Sequence, residues 1–358
     1  MPPRIPLALL PTPLEHAARL TAAWGGPRIW VKRDDLTGFG LSGNKVRKLE
    51  FHLAAALEAG ADVVVTCGAV TSNHCRATVL ACARVGLATR LLLRTPDGRP
   101  PPRVGGNHLL HVLGGAELRF ITPAEYDDRD ELMAAEAERL AAAGRQAWVI
   151  PEGASDELGL VGFEVAALEL ADQLAAAGIA PAAVWHAASS AGTTAGLIFG
   201  FATRGLPYPI LGTSVGEPAA AVRGRVRALL ESAATRWERE PPVASWEVTD
   251  DYVGGGYGVA SPAEIACQAE ATRLTGMLFD PTYTGKALYG LRAEIGHGRF
   301  GAGDDVVFWH TGGGFAVFER GDELLASQPS SVGAARSWTA AANSSSRARP
   351  SGTDRTAS

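Results

Sequence analysis

The strongest constraint on the fold of this chain is a regular alternation of short, apolar, β-branched runs with longer helical patterns. Residues 62–66 (DVVVT), 88–93 (ATRLLL), 118–122 (LRFIT) and 147–150 (AWVI) read as buried strands. Between them, 71–85, 104–114 and 125–143 carry helical spacing, much of it rich in alanine. The pattern then repeats as helix 156–177, strand 182–187, helix 193–204, strand 209–215 and helix 218–235. Helices over 262–275 and 285–297 precede a last strand, DVVFWH, over 305–310. Strands joined through helices by short connections run parallel, and a parallel sheet needs helices on both faces. The expected fold is therefore α/β, with two open, twisted parallel sheets, helices on both faces of each, and a cleft between them. Ligands then sit at the carboxyl ends of the strands.

A chain of 358 residues is long enough for two such lobes. Its net charge of −5 offers no basic surface for nucleic acid or an anionic membrane. No apolar run is long enough to span a bilayer, and the proline-broken amino terminus lacks the apolar stretch of a signal peptide, so a cytoplasmic location is expected. The cysteines, Cys67, Cys75, Cys82 and Cys267, form no CxxC pair and read as reduced, buried thiols. His108 and His111 stand three apart without a third ligand at sensible spacing, so no metal is expected. Residues 327–358, rich in Ser, Ala and Arg without apolar periodicity, read as a disordered tail.

Chemistry concentrates in a few segments. In KRDDLTGFGLSGNKVRKLEF (32–51), a glycine-rich turn leads into Asn44, Lys45 and an amphipathic helix. A nucleotide P-loop needs Lys directly after Gly and then a hydroxyl; Asn44 and Val46 break that pattern. A lysine at the positive end of a helix is biased toward the neutral amine that imine formation requires. A solvated surface lysine is the plainer reading. In TCGAVTSNHCRAT (66–78), Ser72, Asn73 and His74 follow a buried strand and suit a carboxylate at a helix start, although Thr71 or Ser72 serves equally as an N-cap. In HAASSAGTTAGL (186–197), small residues and hydroxyls open a helix, as a phosphate loop would and as a close strand–helix turn also would. YVGGGYGVAS (252–261) and DPTYTGKALYG (280–290) present Tyr257 and Tyr283 near glycines, and HTGGG (310–314) ends the last strand with Thr311.

Together these segments resemble, in order, the fold-type-II pyridoxal-phosphate enzymes that include 1-aminocyclopropane-1-carboxylate (ACC) deaminase and D-cysteine desulfhydrase. PTPLE (11–15), KRDDLTG (32–38), SGNKVRKLEF (42–51), TSNHCRA (71–77), GTTAGL (192–197), YTGKA (283–287) and HTGGG (310–314) carry the resemblance, and only the tail falls outside it. It implies a tryptophan-synthase-β-like fold. Residues 1–45 and 158–326 would form a large cofactor-binding domain and 46–157 a small one, in a homodimeric enzyme.

The resemblance also implies residue roles. Lys45 would hold pyridoxal 5'-phosphate as a Schiff base and then serve as the base for the α proton. Asn73 would bond the ring hydroxyl, and Ser190, Ala191, Gly192, Thr193 and Thr194 would cradle the phosphate. Ser72, Asn73 and His74 would receive the substrate carboxylate, with Tyr257 and Tyr283 facing the substrate and Tyr283 preferred as proton donor. Thr284 and Thr311 stand where deaminases of the group carry Glu and Leu, as in the desulfhydrases. A hydroxyl beside the ring nitrogen makes a weaker electron sink than a carboxylate, enough for a thiolate to leave. The expectation is an α,β-eliminating lyase converting D-cysteine to pyruvate, hydrogen sulfide and ammonia. The alternatives are ACC deamination to 2-oxobutanoate and ammonia, elimination from cysteate or a biosynthetic intermediate, and a degenerate cofactor-binding protein without turnover. Three departures from the group's usual pattern, SSAGT in the phosphate loop, PEGASDE (151–157) with Glu152 and Asp156 at the cleft mouth, and Thr71, favour a drifted substrate.

Overall fold

Ten strands run through residues 1–326, the part of the chain that the computed structural model describes; the expected tail at 327–358 lies outside the described residues. They are β1 (Leu14–His16), β2 (Arg28–Arg33), β3 (Val63–Ala69), β4 (Ala88–Arg94), β5 (Glu117–Ile121), β6 (Ala147–Val149), β7 (Ala183–Ala188), β8 (Ile210–Ser214), β9 (Trp246–Thr249) and β10 (Asp305–His310). One sheet has the order β1-β2-β10-β7-β8-β9 and the other β5-β4-β3-β6. All neighbours are parallel except β1, which runs antiparallel to β2 at the edge. The fold is thus the α/β pair of parallel sheets that the alternation predicts. Among the described residues, no helix is long and apolar enough to cross a membrane.

The apolar runs form the central strands because each is buried on both faces. Val63, Val64, Val65 and Cys67 of β3 and Val306 to Trp309 of β10 are closed from solvent. Helices Glu157–Ala177, Gly192–Thr203 and Ala219–Arg236 cover one face of the larger sheet, around Phe163, Leu197, Phe201 and Trp309. Helices Ala18–Trp24, Pro262–Thr275 and Thr284–Gly296 cover the other, around Leu20, Trp185, Leu288 and Phe308. Two glycines set the closest helix crossing. A Cβ at Gly196 would stand 2.3 Å from the Cβ of Phe163, and one at Gly200 would stand 2.4 Å from that of Ala167.

Sequence periodicity misses β1, β2 and β9. β2 reads RIWVKR, and its charges hide a strand whose Lys32 is nonetheless fully buried. The single helix expected over 125–143 is two, Pro123–Asp127 and Arg129–Ala142. Thr122 accounts for the early start: its side chain and that of Glu125 form a reciprocal capping box, with Pro123 in the first turn. The strand expected over 118–122 correspondingly ends at Ile121.

Lys32 belongs to a buried cluster that locks the large sheet to the helix Lys45–Glu58. The Arg47 guanidinium donates to Asp34 Oδ2 at 2.9 Å and Oδ1 at 2.8 Å, and to both Glu169 carboxylate oxygens at 3.0 Å. Lys32 Nζ donates to Glu169 Oε1 and, at 2.8 Å, to the Thr12 carbonyl. Two cations face two anions, so the cluster is neutral. Burial opposes ionisation of Glu169, but Arg47 and Lys32 prevail and hold its carboxyl at about 2. Arg47→Met would strand the buried Asp34 carboxylate and leave Glu169 with Lys32 alone, and we expect it to cost about 3–5 kcal/mol of unfolding free energy. A urea titration whose midpoint is unchanged by Arg47→Met would refute this.

Candidate active site

Lys45 is the first residue of its helix and follows a turn stitched to the far end of the large sheet's last strand. Asn44 N–H donates to the Thr311 carbonyl at 3.1 Å. At Gly43, φ is 109° and a Cβ would lie 2.9 Å from that same oxygen, so only glycine fits. Arg76 clamps the outer side of the turn by donating to the carbonyls of Gly40 and, at 2.6 Å, of Ser42. Lys45 Nζ makes no hydrogen bond among the described residues and looks into a cavity lined by Asn73, Ser189, Ser190, Thr193, Thr194, Tyr283 and Thr311. Burial lowers its pKa to about 8, against the opposing pull of Glu152. A neutral, nucleophilic amine is therefore within easy reach near neutrality.

The loop after β7 forms the floor of this cavity. Ala191 takes φ 72° and swings the chain into the helix Gly192–Thr203, leaving the first amides of that helix at the cavity edge. Asn44 Nδ2 donates to Thr193 Oγ1 at 3.2 Å, and the hydroxyls of Ser155 and Ser190 lie 2.8 Å apart. Sequence reading missed Lys48. It is fully buried, donates to Ser155 Oγ at 2.9 Å and to the Gly153 carbonyl at 3.2 Å, and lies 2.5 Å from where a Gly192 Cβ would be. Burial, and then the nearby Lys45, push its pKa well down. A buried lysine beside helix-opening amides suits a bound phosphate, whose charge would restore its protonation. Its spacing of three from Lys45 on one helix face was the available signal.

Ser72, Asn73 and His74 sit together at the start of the helix Asn73–Val85. Ser72 Oγ accepts from Cys75 N–H at 3.2 Å, so the plain capping role is real, and the residue also lines the cavity beside Lys45. Asn73 Oδ1 accepts from Asn107 Nδ2 at 3.0 Å. Asn107, fully buried, also donates to the Thr71 carbonyl at 2.7 Å and accepts from Arg76 Nε at 2.9 Å. It fixes which way the Asn73 amide faces, and nothing in its helix pattern singled it out. The tautomer of His74 follows from its partner. Thr66 Oγ1 gives its proton to the Ile150 carbonyl at 2.6 Å, so the 2.8 Å contact with His74 Nε2 must use the imidazole proton. Burial and the nearby Lys45 keep the ring neutral, its pKa well below the ordinary histidine range.

Tyr257 and Tyr283 meet across the opposite wall, their hydroxyls 2.7 Å apart and their rings edge to face. Burial pushes Tyr257 up to about 12 and Tyr283 further, so both are proton donors rather than phenolates. The glycine loop bearing Tyr257 is held from beneath by Lys286, another residue sequence reading passed over. Its buried ammonium donates to the carbonyls of Val253 at 2.6 Å and Val259 at 2.7 Å and to Glu264 at 3.1 Å. Thr311 lines the cavity, but Thr284 does not. The Thr284 hydroxyl instead donates to Asp280 Oδ1 at 2.7 Å and accepts from the Asp280 N–H at 2.8 Å. Asp280 caps the Tyr283 turn, also receiving the N–H groups of Thr282, Tyr283 and Thr284. Asp156, expected at the cleft mouth, caps the helix Glu157–Ala177 through Gly159 N–H and lies 3.0 Å from His52 Nε2; Glu152 does face the cavity.

A buried reactive lysine, a phosphate-ready loop and paired tyrosines at strand carboxyl ends now have a counterpart among known proteins. Residues 5–312 match the family model described as pyridoxal-phosphate dependent enzyme. The chain is 36% identical over 323 residues to a putative ACC deaminase of Thermotoga maritima, covering 90% of this chain and 100% of that one. It is 38% identical over 318 residues to D-cysteine desulfhydrase of Salmonella paratyphi C, covering 88% and 95%. The crystal structure of an ACC deaminase homologue superposes with a TM-score of 0.83 at 33% identity, over 91% of this chain and 97% of that one. A fungal L-serine ammonia-lyase from Rhizomucor miehei shares the fold alone, with a TM-score of 0.61 at 19% identity over 87% and 96% of the two chains. The chain belongs to the pyridoxal-phosphate-dependent enzymes and, among them, to the lyases of the D-cysteine desulfhydrase and ACC deaminase family.

Proposed function

We propose that the protein carries out α,β-elimination on a small β-substituted amino acid, with D-cysteine the leading substrate and pyruvate, hydrogen sulfide and ammonia the products. The observation that carries this reading is the isolated Lys45 amine, its pKa lowered to about 8, facing a wall of hydroxyls across the cleft. Pyridoxal phosphate supplies a carbonyl that captures amines covalently and a ring that accepts electron density.

The remaining steps fall to side chains of this chain. Lys45 would hold the cofactor through its amine, and its free amine is placed to take the α proton of a bound substrate. Lys48, Ser190, Ala191, Gly192, Thr193 and Thr194 would hold the phosphate, and Asn73, aimed by Asn107, would bond the ring hydroxyl. The Ser72 hydroxyl and the amides of Asn73 and His74 would receive the substrate carboxylate. Tyr283, close to Tyr257, protonates the leaving group. Preference for a thiolate leaving group over ring opening is supported by the wall that holds Thr311. The carboxylate behind that wall, Asp280, already receives its donors from residues 282–284 and is spent as a cap.

Self-association is part of the proposal. Phe39 is 90% exposed, Leu113 70% and Phe318 72%. Phe39 and Phe318 are drawn together through Phe315, whose ring meets that of Phe39 at 5.7 Å. An apolar patch of this kind marks an interface, and a second copy of the chain is the proposed occupant.

Three outcomes follow. Lys45→Ala removes the visible absorbance of the holoenzyme near ~420 nm together with turnover, and a variant that keeps the band would exclude Lys45 as the cofactor's anchor. Pyruvate release from D-cysteine exceeds both release from L-cysteine and 2-oxobutanoate release from ACC; faster turnover of ACC would overturn the argument from Thr311. Light scattering gives twice the mass of one chain, falling toward one in Phe39→Glu, whereas a monomeric wild type would refute self-association.

A further inference from the structure

Beyond Thr311 the chain runs through Gly312 and Gly313 into the short helix Gly314–Glu319. Gly313, at φ 100°, lies so near the Tyr283 turn that a Cβ there would stand 2.6 Å from the Asp280 carboxyl carbon. The far end of the helix reaches two other supports of the site. Glu319 Oε1 accepts from the Asn107 N–H at 2.6 Å, and the His108 amide also bonds this carboxylate. Glu319 thereby caps the helix Gly106–Leu113, whose own N-cap, Gly105, has no side chain to offer. The fit is close. Gly106 takes φ 48°, and a Cβ there would lie 2.2 Å from Glu319 Cγ. Arg320, the next residue, donates to the Gly258 carbonyl and pairs with Glu323. Gly258 directly follows Tyr257. Glu319 and Arg320 also line, with Thr71, Tyr257 and Thr282, a cavity of about 400 Å³. Asn107 orients the Asn73 amide, so a carboxylate that fixes the Asn107 backbone acts on Asn73 at one remove.

We propose that residues 313–320 form a strap with two positioning residues, Glu319 acting on Asn73 through Asn107 and Arg320 acting on Tyr257 through Gly258. The roles of Asn73 and Tyr257 rest on the elimination reading of the site. Adjacent in the chain, the two side chains serve different walls and therefore different events. Glu319 bears on the residue that meets the cofactor ring, and so on how firmly the cofactor is held. Arg320 bears on the partner of Tyr283, and so on proton delivery to the leaving group.

Equilibrium dialysis of pyridoxal phosphate, the holoenzyme spectrum and steady-state kinetics with D-cysteine separate the two roles. Glu319→Ala is expected to weaken cofactor binding about tenfold and to lower the ~420 nm band relative to that at ~330 nm. Glu319→Gln keeps an acceptor oxygen and should restore both. Arg320→Ala should leave cofactor affinity unchanged and lower kcat for D-cysteine about tenfold, with KM moving less. Parallel losses of cofactor affinity and kcat in the two alanine variants would mean that the segment only holds the fold, and would overturn the proposal. So would a Glu319→Gln protein that behaves like Glu319→Ala. Amide hydrogen exchange of the full-length protein reads the cap directly. The amides of Asn107 and His108 should exchange faster in Glu319→Ala and at the wild-type rate in Glu319→Gln, and unchanged exchange in Glu319→Ala would refute the strap. If no amino acid yields a 2-oxo acid, the elimination reading falls by itself, and dialysis and exchange still decide the role of Glu319.

Discussion

The structure turns on the guanidinium of Arg47. Two residues after Lys45, it spends its donors on Asp34 after β2, on Glu169 of the covering helix and on the Thr12 hydroxyl. Those partners come from three separate segments, and each is placed only if the other two are. A buried pair of this kind is no free source of stability, because desolvation consumes most of the attraction. Its effect is on register. The helix cannot slide or rotate without stranding charges, so its first residue is held against the cleft with little freedom. An amine that must meet a substrate atom at bonding distance needs that fixity.

The same device recurs at three other places around the cavity. Asn73 is aimed by Asn107, the turn before Lys45 by Arg76, and the Tyr257 loop by Lys286. Each supporting group is buried, and each is charged or doubly hydrogen-bonded, so each has a single low-energy orientation. Arg76 and Asn107 also touch one another, joining two of these supports into one unit. The walls are therefore built from polar residues locked by polar residues, as a site that must be preformed requires.

Much of this could be read from the chain, and the limits have physical causes. The central strands announced themselves because burial on both faces leaves an unbroken apolar run, as in β3 and β10. β2 and the edge strands β1 and β9 did not, since one is charged and the others are short. The motif residues Lys45, Ser190 and Thr311 were visible because glycines and hydroxyls cluster around them. Lys48 and Asn107 were not, because a buried polar residue on a helix looks like a surface one until its partners from distant segments are known. Thr284 shows the opposite failure. Its neighbour Tyr283 reaches the cavity, while its own hydroxyl turns back to Asp280, a local bond that spacing does not reveal.

The seam between Asn44 and the Thr311 carbonyl has a bearing on biosynthesis. The turn that sets the lysine leaves the ribosome before most of either sheet, and the oxygen that pins it follows the last strand of both. β10, which brings that oxygen, also fills the gap between β2 and β7 at the centre of the large sheet. Contacts so distant in sequence form late, after the loop entropy has been met. The turn before the lysine is therefore pinned only once β10 has docked, so the geometry of the site is completed at the end of folding rather than early.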